Sequence, residues 1–423
     1  MSQTEVQLIK TNAVQTGDIA NSAVTNEKIA GLASSKLTGA LPAISGAALT
    51  NLPASGKASN LVINGSMQVA QRNLSSTDTG FATVDRIKTY TSGTDEAPTF
   101  SQADVASGTT PYTLGFRKCF KILNGNQTSV SAGDFIYFRH IIESQNVAKS
   151  GWNYKNASSN VTLSFWVKSS VAQDFKGYLR ATSTSGANSS QQQYSFATGS
   201  LSANTWTKIT KTIPGHANLE FDNDTGSGLD INISTYIGST YSSSSTTENA
   251  WIDYSSSGRV QDYSADTWYT TDDATFEITG IQLEVGDSAT DFEHLTYGDE
   301  LSRCQRYYYK HAYGQNRIGS SNVSSNNMPV AMCACYDASN GFGMVSFPVT
   351  MRAQPTLEYE NVANGYKVLF NNTLDYFNNI TTQQFGDSCA IINFTGGFGV
   401  TADSPGWVQI YKTSSYVAFT AEL

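Results

Sequence analysis

Thr275 to Lys310 reads TFEITGIQLEVGDSATDFEHLTYGDELSRCQRYYYK, and the parity of its apolar residues sets what the surrounding chain can be. Phe276 and Ile278 fall on one parity of an extended segment, whereas Ile281, Leu283 and Val285 fall on the other. Strand side chains alternate between faces, so the apolar face changes sides at Thr279-Gly280, where a β-bulge absorbs the extra residue. Ile281, Leu283 and Val285 are therefore expected in a sheet core. After Gly286 the chain turns, and Tyr297 to Gln305 has the composition of a short helix with Asp299 as its cap. Tyr307 to Tyr309 then open a second run of β-type sequence. Nothing in the stretch looks catalytic; it reads as the hinge between two β-rich halves.

Working outward, the 423 residues suffice for two or three domains with their own cores. Only 14% are charged, and Ser, Thr, Asn, Gly and Tyr take their place, which suits neutral, hydrogen-bonding β surfaces. The formal net charge of −9 repels phosphate backbones and argues against nucleic-acid binding. The first residues, MSQTEVQLIKTNAVQTGD, lack the basic and apolar regions of a secretory signal, and no window is apolar enough for a membrane span. Cys119, Cys304, Cys333, Cys335 and Cys389 show no zinc-like pairing and are expected as free, buried thiols in a chain made in a reducing cytoplasm.

Residues 11–56 are rich in small residues and contain a repeat, AVQTGDIA from Ala13 and AVTNEKIA from Ala23. One apolar residue every five cannot bury a core alone, so the segment needs neighbouring copies; an intertwined stalk of three chains fits, with a flexible linker as the alternative. From Asn60 the composition changes. NLVINGSMQVAQRN places Asn64-Gly65 between apolar runs, a hairpin signal. NVTLSFWVKSS from Asn160 is the clearest strand, with Val161, Leu163, Phe165 and Val167 on one face. About eight such strands separated by Gly, Ser and Asn turns predict a β-sandwich of jelly-roll type. Beyond Lys310, a hairpin turning at Ala338 to Gly341, a strand confined by Pro355 to an edge or a start, and a docked terminal strand SYVAFTAEL predict a second β domain.

Tyr241 to Asp273 interrupts this pattern with aromatics set among Ser, Thr and Asp. Sugar rings stack on aromatic faces while neighbouring polar groups bond their hydroxyls, so Trp251, Tyr254, Trp268 and Tyr269 are the candidate glycan-binding residues. The competing expectation is that these rings pack on the sandwich or on a neighbouring subunit. FNNTLDYFNN, from Phe370 to Asn379, is expected as an amide-rich surface loop and a second contact candidate. No GxSxG, HExxH, Walker or GxGxxG pattern occurs, so the chain is not expected to be an enzyme, although carboxylate pairs for glycoside hydrolysis leave no linear trace. His294 beside Asp291 and Glu293 is expected to be structural, and FDNDTGSGLD from Phe221 lacks EF-hand spacing. No catalytic residue, cofactor or metal is assigned.

NLVINGSMQVAQR, VDRIK from Val84, TLSFWVKSS from Thr162, TWTKITKTIP from Thr205 and, above all, the stretch from Ile278 to Lys310 resemble tail fibre proteins of tailed bacteriophages, a family with a carbohydrate-binding-module-like jelly roll. FPVTMRAQPTL from Phe347 and the final AFTAEL look like the C-terminal domain that follows it there. The resemblance implies an all-β chain: an N-terminal virion-attachment and stalk segment over 1–56, a jelly roll over 57–298, and a C-terminal receptor-binding and trimer domain over 299–423. It implies a homotrimeric fibre of the virion tail, assembled in the host cytoplasm and anchored through its N-terminus to a tail or baseplate protein. Host attachment through surface polysaccharide follows from it. The alternatives are a structural virion protein without a receptor site and a polysaccharide depolymerase.

Overall fold

The computed structural model describes residues 60–183, 190–263, 267–314, 328–370, 373–398 and 402–423. They fall in one compact unit, Lys57–Leu423. The repeats from Ala13 to Ala30, and with them the expected stalk, lie outside the described residues.

Among the described residues, twelve strands build the first half. In chain order these are β1 (Ser75–Ser76), β2 (Ile87–Ser92), β3 (Thr99–Asp104), β4 (Lys118–Leu123), β5 (Phe135–Glu143) and β6 (Asn160–Ser169). Then come β7 (Asp174–Ala181), β8 (Gln192–Ser200), β9 (Thr207–Pro214), β10 (Ser227–Ile237), β11 (Trp251–Asp253) and β12 (Thr275–Val285). They form two six-stranded antiparallel sheets, ordered β1-β3-β4-β12-β6-β9 and β11-β8-β7-β10-β5-β2. Alternation makes the sandwich: Val161, Leu163, Phe165 and Val167 of β6 face Leu229, Ile231 and Ile233 of β10 across one continuous core. The result resembles the jelly roll expected from the strand pattern.

β12 behaves as its parity requires. Its pairing with β6 slips between Thr279 and Gln282, and Gly280 takes a φ of 65° at the bulge. Ile281 and Leu283 are fully buried in the sandwich core, with Val285 packed at its margin.

The hairpin expected at Asn64-Gly65 does not form. Leu61 to Ser66 is a buried turn without flanking strands, because its polar groups serve the bulge instead. Gly65 accepts a hydrogen bond from the Ile281 N–H (2.9 Å), Asn60 Nδ2 donates to the Ile281 carbonyl (3.0 Å), and Asn60 Oδ1 accepts from the Leu283 N–H (3.0 Å). Those bonds satisfy backbone groups that the bulge removes from the ladder. A Cβ on Gly65 would lie 2.1 Å from the Ile281 carbonyl oxygen, so no larger residue fits that approach.

After β12 a nine-residue helix, Tyr297–Gln305, starts as expected, but Thr296 rather than Asp299 caps it: Thr296 Oγ1 accepts from the Asp299 N–H at 3.3 Å. The second half follows as β13 (Tyr308–Tyr313), β14 (Pro329–Cys335), β15 (Asn340–Ser346), β16 (Thr356–Tyr359) and β17 (Tyr366–Phe370). The remaining strands are β18 (Thr373–Phe377), β19 (Asn379–Phe385), β20 (Cys389–Thr395), β21 (Pro405–Ile410) and β22 (Tyr416–Thr420). They make a three-stranded sheet, β13-β22-β16, and a seven-stranded sheet, β18-β17-β21-β14-β15-β20-β19. The terminal strand is docked at the centre of the small sheet, and β16 takes its edge directly after Pro355. The expected loop at Phe370 to Asn379 is instead mostly β18, because Leu369 pairs with Leu374 and Lys367 with Tyr376.

The two halves are tied by buried charge. Glu143, at the end of β5, accepts from Arg306 Nε (2.8 Å) and Nη2 (2.9 Å), the Tyr307 hydroxyl (2.5 Å) and Gln145 Nε2 (2.6 Å). Arg86, almost wholly buried, pairs with Glu422, donates to the Ile141 carbonyl at 2.6 Å and lies 3.5 Å over the Tyr307 ring. All five cysteines are free, and only Cys389 is more than slightly exposed.

Candidate functional site

The aromatic segment supplies little of a binding surface itself. Trp268 and Tyr269 have no exposed surface: Trp268 packs edge-on to Phe175, and Tyr269 stacks on Tyr236 at 4.2 Å. Trp251, 7% exposed, pairs with Tyr194 in the same core and donates Nε1–H to the Pro214 carbonyl (2.7 Å). These three assignments are corrected. The rings supply the core volume that a strand-poor stretch otherwise lacks, as the packing alternative expected. Tyr254 alone stands at the surface, half-buried, with the Arg180 guanidinium 4.0 Å over its ring.

Tyr254 borders a surface that its neighbours create. The outer face of the second sheet is laid out by register across β2, β5, β10 and β7. One row runs Tyr90, Tyr137, Ser234, Lys176; the next Lys88, Arg139, Asn232, Tyr178; the third brings Ile141, Asp230 and Arg180 together. The segment after β10 folds back over one end of this face. Its Arg259 carbonyl accepts from Ser195 Oγ (2.8 Å), its Gly258 carbonyl from Gln193 Nε2 (2.7 Å), and Tyr263 donates to the Ser234 carbonyl (2.8 Å). Lys88, on the opposite edge, donates to a main-chain oxygen of Leu423 at 3.3 Å. Between these borders lies a polar trough whose floor is almost inaccessible while its rim is half-exposed: Tyr178 is 1% exposed, Asp230 1% and Asn232 1%.

The ring faces here are already occupied. Tyr90 and Tyr137 stack on one another at 4.7 Å with 12° between planes, Arg139 lies 5.0 Å from Tyr90, and Arg259 lies 4.5 Å over Tyr241. What remains free is polar. The Tyr178 hydroxyl and Arg259 Nε are buried without a hydrogen-bond partner, a state that costs stability unless a ligand or water supplies the bond. Burial pushes the Tyr90, Tyr137 and Tyr178 hydroxyls above the usual phenol range, so they stand protonated as donors. Burial raises the Asp230 carboxyl against the pull of Arg139, whose Nη1 is 3.4 Å away.

Such a surface can hold a hydroxyl-rich chain by donors, amides and guanidinium forks. At its centre the Asp230 carboxylate is engaged by Arg139. Composition does not single these residues out, because each stands in an ordinary alternating strand. Their signal was present in strand parity: Tyr137-x-Arg139 and Tyr178-x-Arg180 each place a phenol and a guanidinium on the face opposite an aliphatic run.

Elsewhere, a cavity of about 640 Å³ separates the two halves, lined among others by Arg72, Phe81, Tyr308, Glu358 and Tyr416. Arg72 caps its Tyr308 wall at 3.5 Å, which removes that ring face from any ligand. His294 hydrogen-bonds the Leu114 carbonyl (2.9 Å), while Glu293 accepts from the Asn60 N–H (2.6 Å), a structural role for both. Asp224 accepts from the Gly226 N–H within its own turn. Among the described residues, no three His, Cys, Asp or Glu side chains gather at metal-binding distance.

No family model matches the sequence. No curated protein matches it either. Solved structures are similar in architecture. One is the enzymatically active domain of tailspike protein 4 of bacteriophage CBA120, at 14% identity and a TM-score of 0.29, over 54% of this chain and 21% of that one. Another is the CBM22-2 xylan-binding domain of Xyn10C from Paenibacillus barcinonensis, at 17% identity and a TM-score of 0.25, over 47% and 91%. A third is the family 11 carbohydrate-binding module of the cellulase Lic26A-Cel5E from Clostridium thermocellum, at 12% identity and a TM-score of 0.24, over 51% and 96%. The chain thus spans about a fifth of the tailspike structure.

Proposed function

We propose that this chain binds polysaccharide non-covalently through the outer face of its second sheet, and does so as a tail fibre subunit that attaches a bacteriophage to its host. The observation that carries the binding reading is the trough itself: phenols, amides and guanidiniums in register, with the Tyr178 hydroxyl and Arg259 Nε buried and unpartnered. The fibre reading rests on the resemblance of the segments from Asn60 and from Ile278 to tail fibre motifs. In it, 1–56 anchors the chain to a tail or baseplate protein, and the protein resides in the virion tail after assembly in the host cytoplasm. One weak site per chain gains strength when several copies engage one polymer.

A homotrimer is supported by the seven-stranded sheet. Its outer face carries Leu374, Leu369, Trp407, Met332, Met344 and Ile391 side by side. Met332 is 70% exposed, Met344 62% and Trp407 42%. Among the described strand residues of that parity, Lys367 is the one charge. A nearly neutral apolar face lets copies of a chain of net charge −9 meet without like-charge repulsion.

The test is adsorption. Purified full-length chain should bind host cells and compete with phage, and it should bind polysaccharide without releasing reducing ends. A chain that neither binds cells nor competes, and that sits at an internal joint of the virion, would instead be a structural component. Release of reducing ends would make it a depolymerase.

A further inference from the structure

We infer that the polysaccharide held by this trough is an acidic one, carrying carboxylate groups along its chain. This rests on the polysaccharide reading above and narrows it.

Charge is the reason. Five cations, Lys88, Arg139, Lys176, Arg180 and Arg259, stand on or over this face of a chain whose net charge is −9. Arg139 pairs with Asp230 and Lys176 with Asp174 and Glu248, whereas Arg180 and Arg259 have no carboxylate partner among the described residues. Arg180 spends Nε and Nη2 on one neutral acceptor, Gln191 Oε1, at 2.7 and 2.5 Å. Arg259 forms no ion pair among the described residues and leaves Nε buried and unbonded. Lys88 donates to a main-chain oxygen of Leu423, the last residue of the sequence. The other carboxylate near Lys88, Glu422, is already shared by Arg72 and Arg86. On the covering segment, Asp262 takes Ser242 Oγ (2.5 Å) and Asp253 takes Gln192 Nε2 (2.7 Å), while Glu248 lies by Lys176, which also has Asp174.

Gathering positive charge at a poorly solvated surface costs free energy unless an anion arrives. Lys88 registers that cost: burial and then the neighbouring Arg139 pull its ammonium below the ordinary lysine range. Neutral sugars recognised mainly by stacking would need open ring faces, and these are taken by Tyr90, Tyr137, Arg180 and Arg259 themselves. Guanidinium forks match carboxylates in the plane, and the Tyr178 hydroxyl is left without a partner to bond a sugar hydroxyl between them. Arg139 and Arg180 stand two strands apart, roughly 10 Å, which suits charges set on separate sugars better than the dense phosphates of a nucleic acid.

A polysaccharide array tests this directly, carrying uronate- and sialate-containing polymers, their carboxyl-esterified or reduced counterparts, neutral glucans and xylans, and single-stranded DNA. Full-length chain should bind acidic polymers, lose at least about tenfold on esterification, and weaken progressively as salt rises from 50 mM to 500 mM. The double variant Arg180→Gln/Arg259→Gln should weaken acidic binding about tenfold or more with its thermal unfolding unchanged. A variant outside the trough, Lys155→Gln, should bind like wild type. Equal binding of acidic and esterified polymers would overturn the acidic class while leaving polysaccharide binding intact. Binding to no polysaccharide would overturn both, and preferential binding to DNA would reassign the face.

Discussion

Glu143→Ala should be the most damaging single truncation in the molecule. The Glu143 side chain has no exposed surface and receives four hydrogen bonds, three of them from Arg306 and Tyr307. Burial alone would raise its carboxyl, yet the bonds from Arg306, Tyr307 and Gln145 outweigh that and hold it below the usual range. With charges about 4 Å apart and an effective dielectric of about 20, the ion pair contributes about 4 kcal/mol before desolvation. Removing one partner also leaves a half-buried guanidinium and a buried phenol unpaired. Breaking buried pairs in this way costs about 3–5 kcal/mol, and that is the expected loss in urea-unfolding free energy at pH 7. Glu143→Gln keeps the shape and some bonds and should cost less. Because the carboxyl is depressed, its contribution is present above pH ~4.5 and disappears as pH falls further, so wild type and Glu143→Ala should converge in acid. A loss below about 1 kcal/mol at pH 7 would show that this cluster does not join the halves energetically.

Asp85 should act with the opposite sign. Burial raises its carboxyl to about 6, so the folded chain holds the proton more tightly and the stabilisation it brings is complete below pH ~4 and lost as pH rises through 6. Over about two pH units that is about 3 kcal/mol, and Asp85→Asn should flatten the slope between pH 4 and 7; an unchanged slope rejects the assignment. Gly65→Ala places a methyl 2.1 Å from the Ile281 oxygen and should cost about 2–4 kcal/mol by thermal unfolding, with a wild-type melting curve as the refuting result. Met332→Lys puts a charge in the exposed apolar row and should lower self-association at least about tenfold in sedimentation velocity without altering the monomer's circular dichroism. Unchanged association would move the subunit contact elsewhere.

Short-range pattern carried far in this sequence. The parity switch at Thr279-Gly280 specified a bulge, the alternation in Val161 to Val167 specified a core face, and Pro355 specified a strand start, because each depends on neighbours a few residues away. The helix at Tyr297–Gln305 was legible for the same reason, although which of Thr296 and Asp299 capped it depended on a backbone angle that composition does not carry. Asn64-Gly65 misled because a turn dipeptide records only that the chain reverses, not what its amides will meet.

What only the tertiary structure decided was exposure. Trp251, Trp268 and Tyr269 have the composition of a sugar platform, but whether an aromatic ring faces water depends on which distant strand lies beneath it. The pair Tyr137 and Arg139 and the pair Tyr178 and Arg180 lie on two strands with β10 set between them, and no linear spacing announces that the two pairs share one face. The sequence by itself determined which side of each strand would be apolar, since that follows from a period of two. The assembly of the opposite sides into a charged trough required the sheet order, which is set by long-range pairing and not by any local residue.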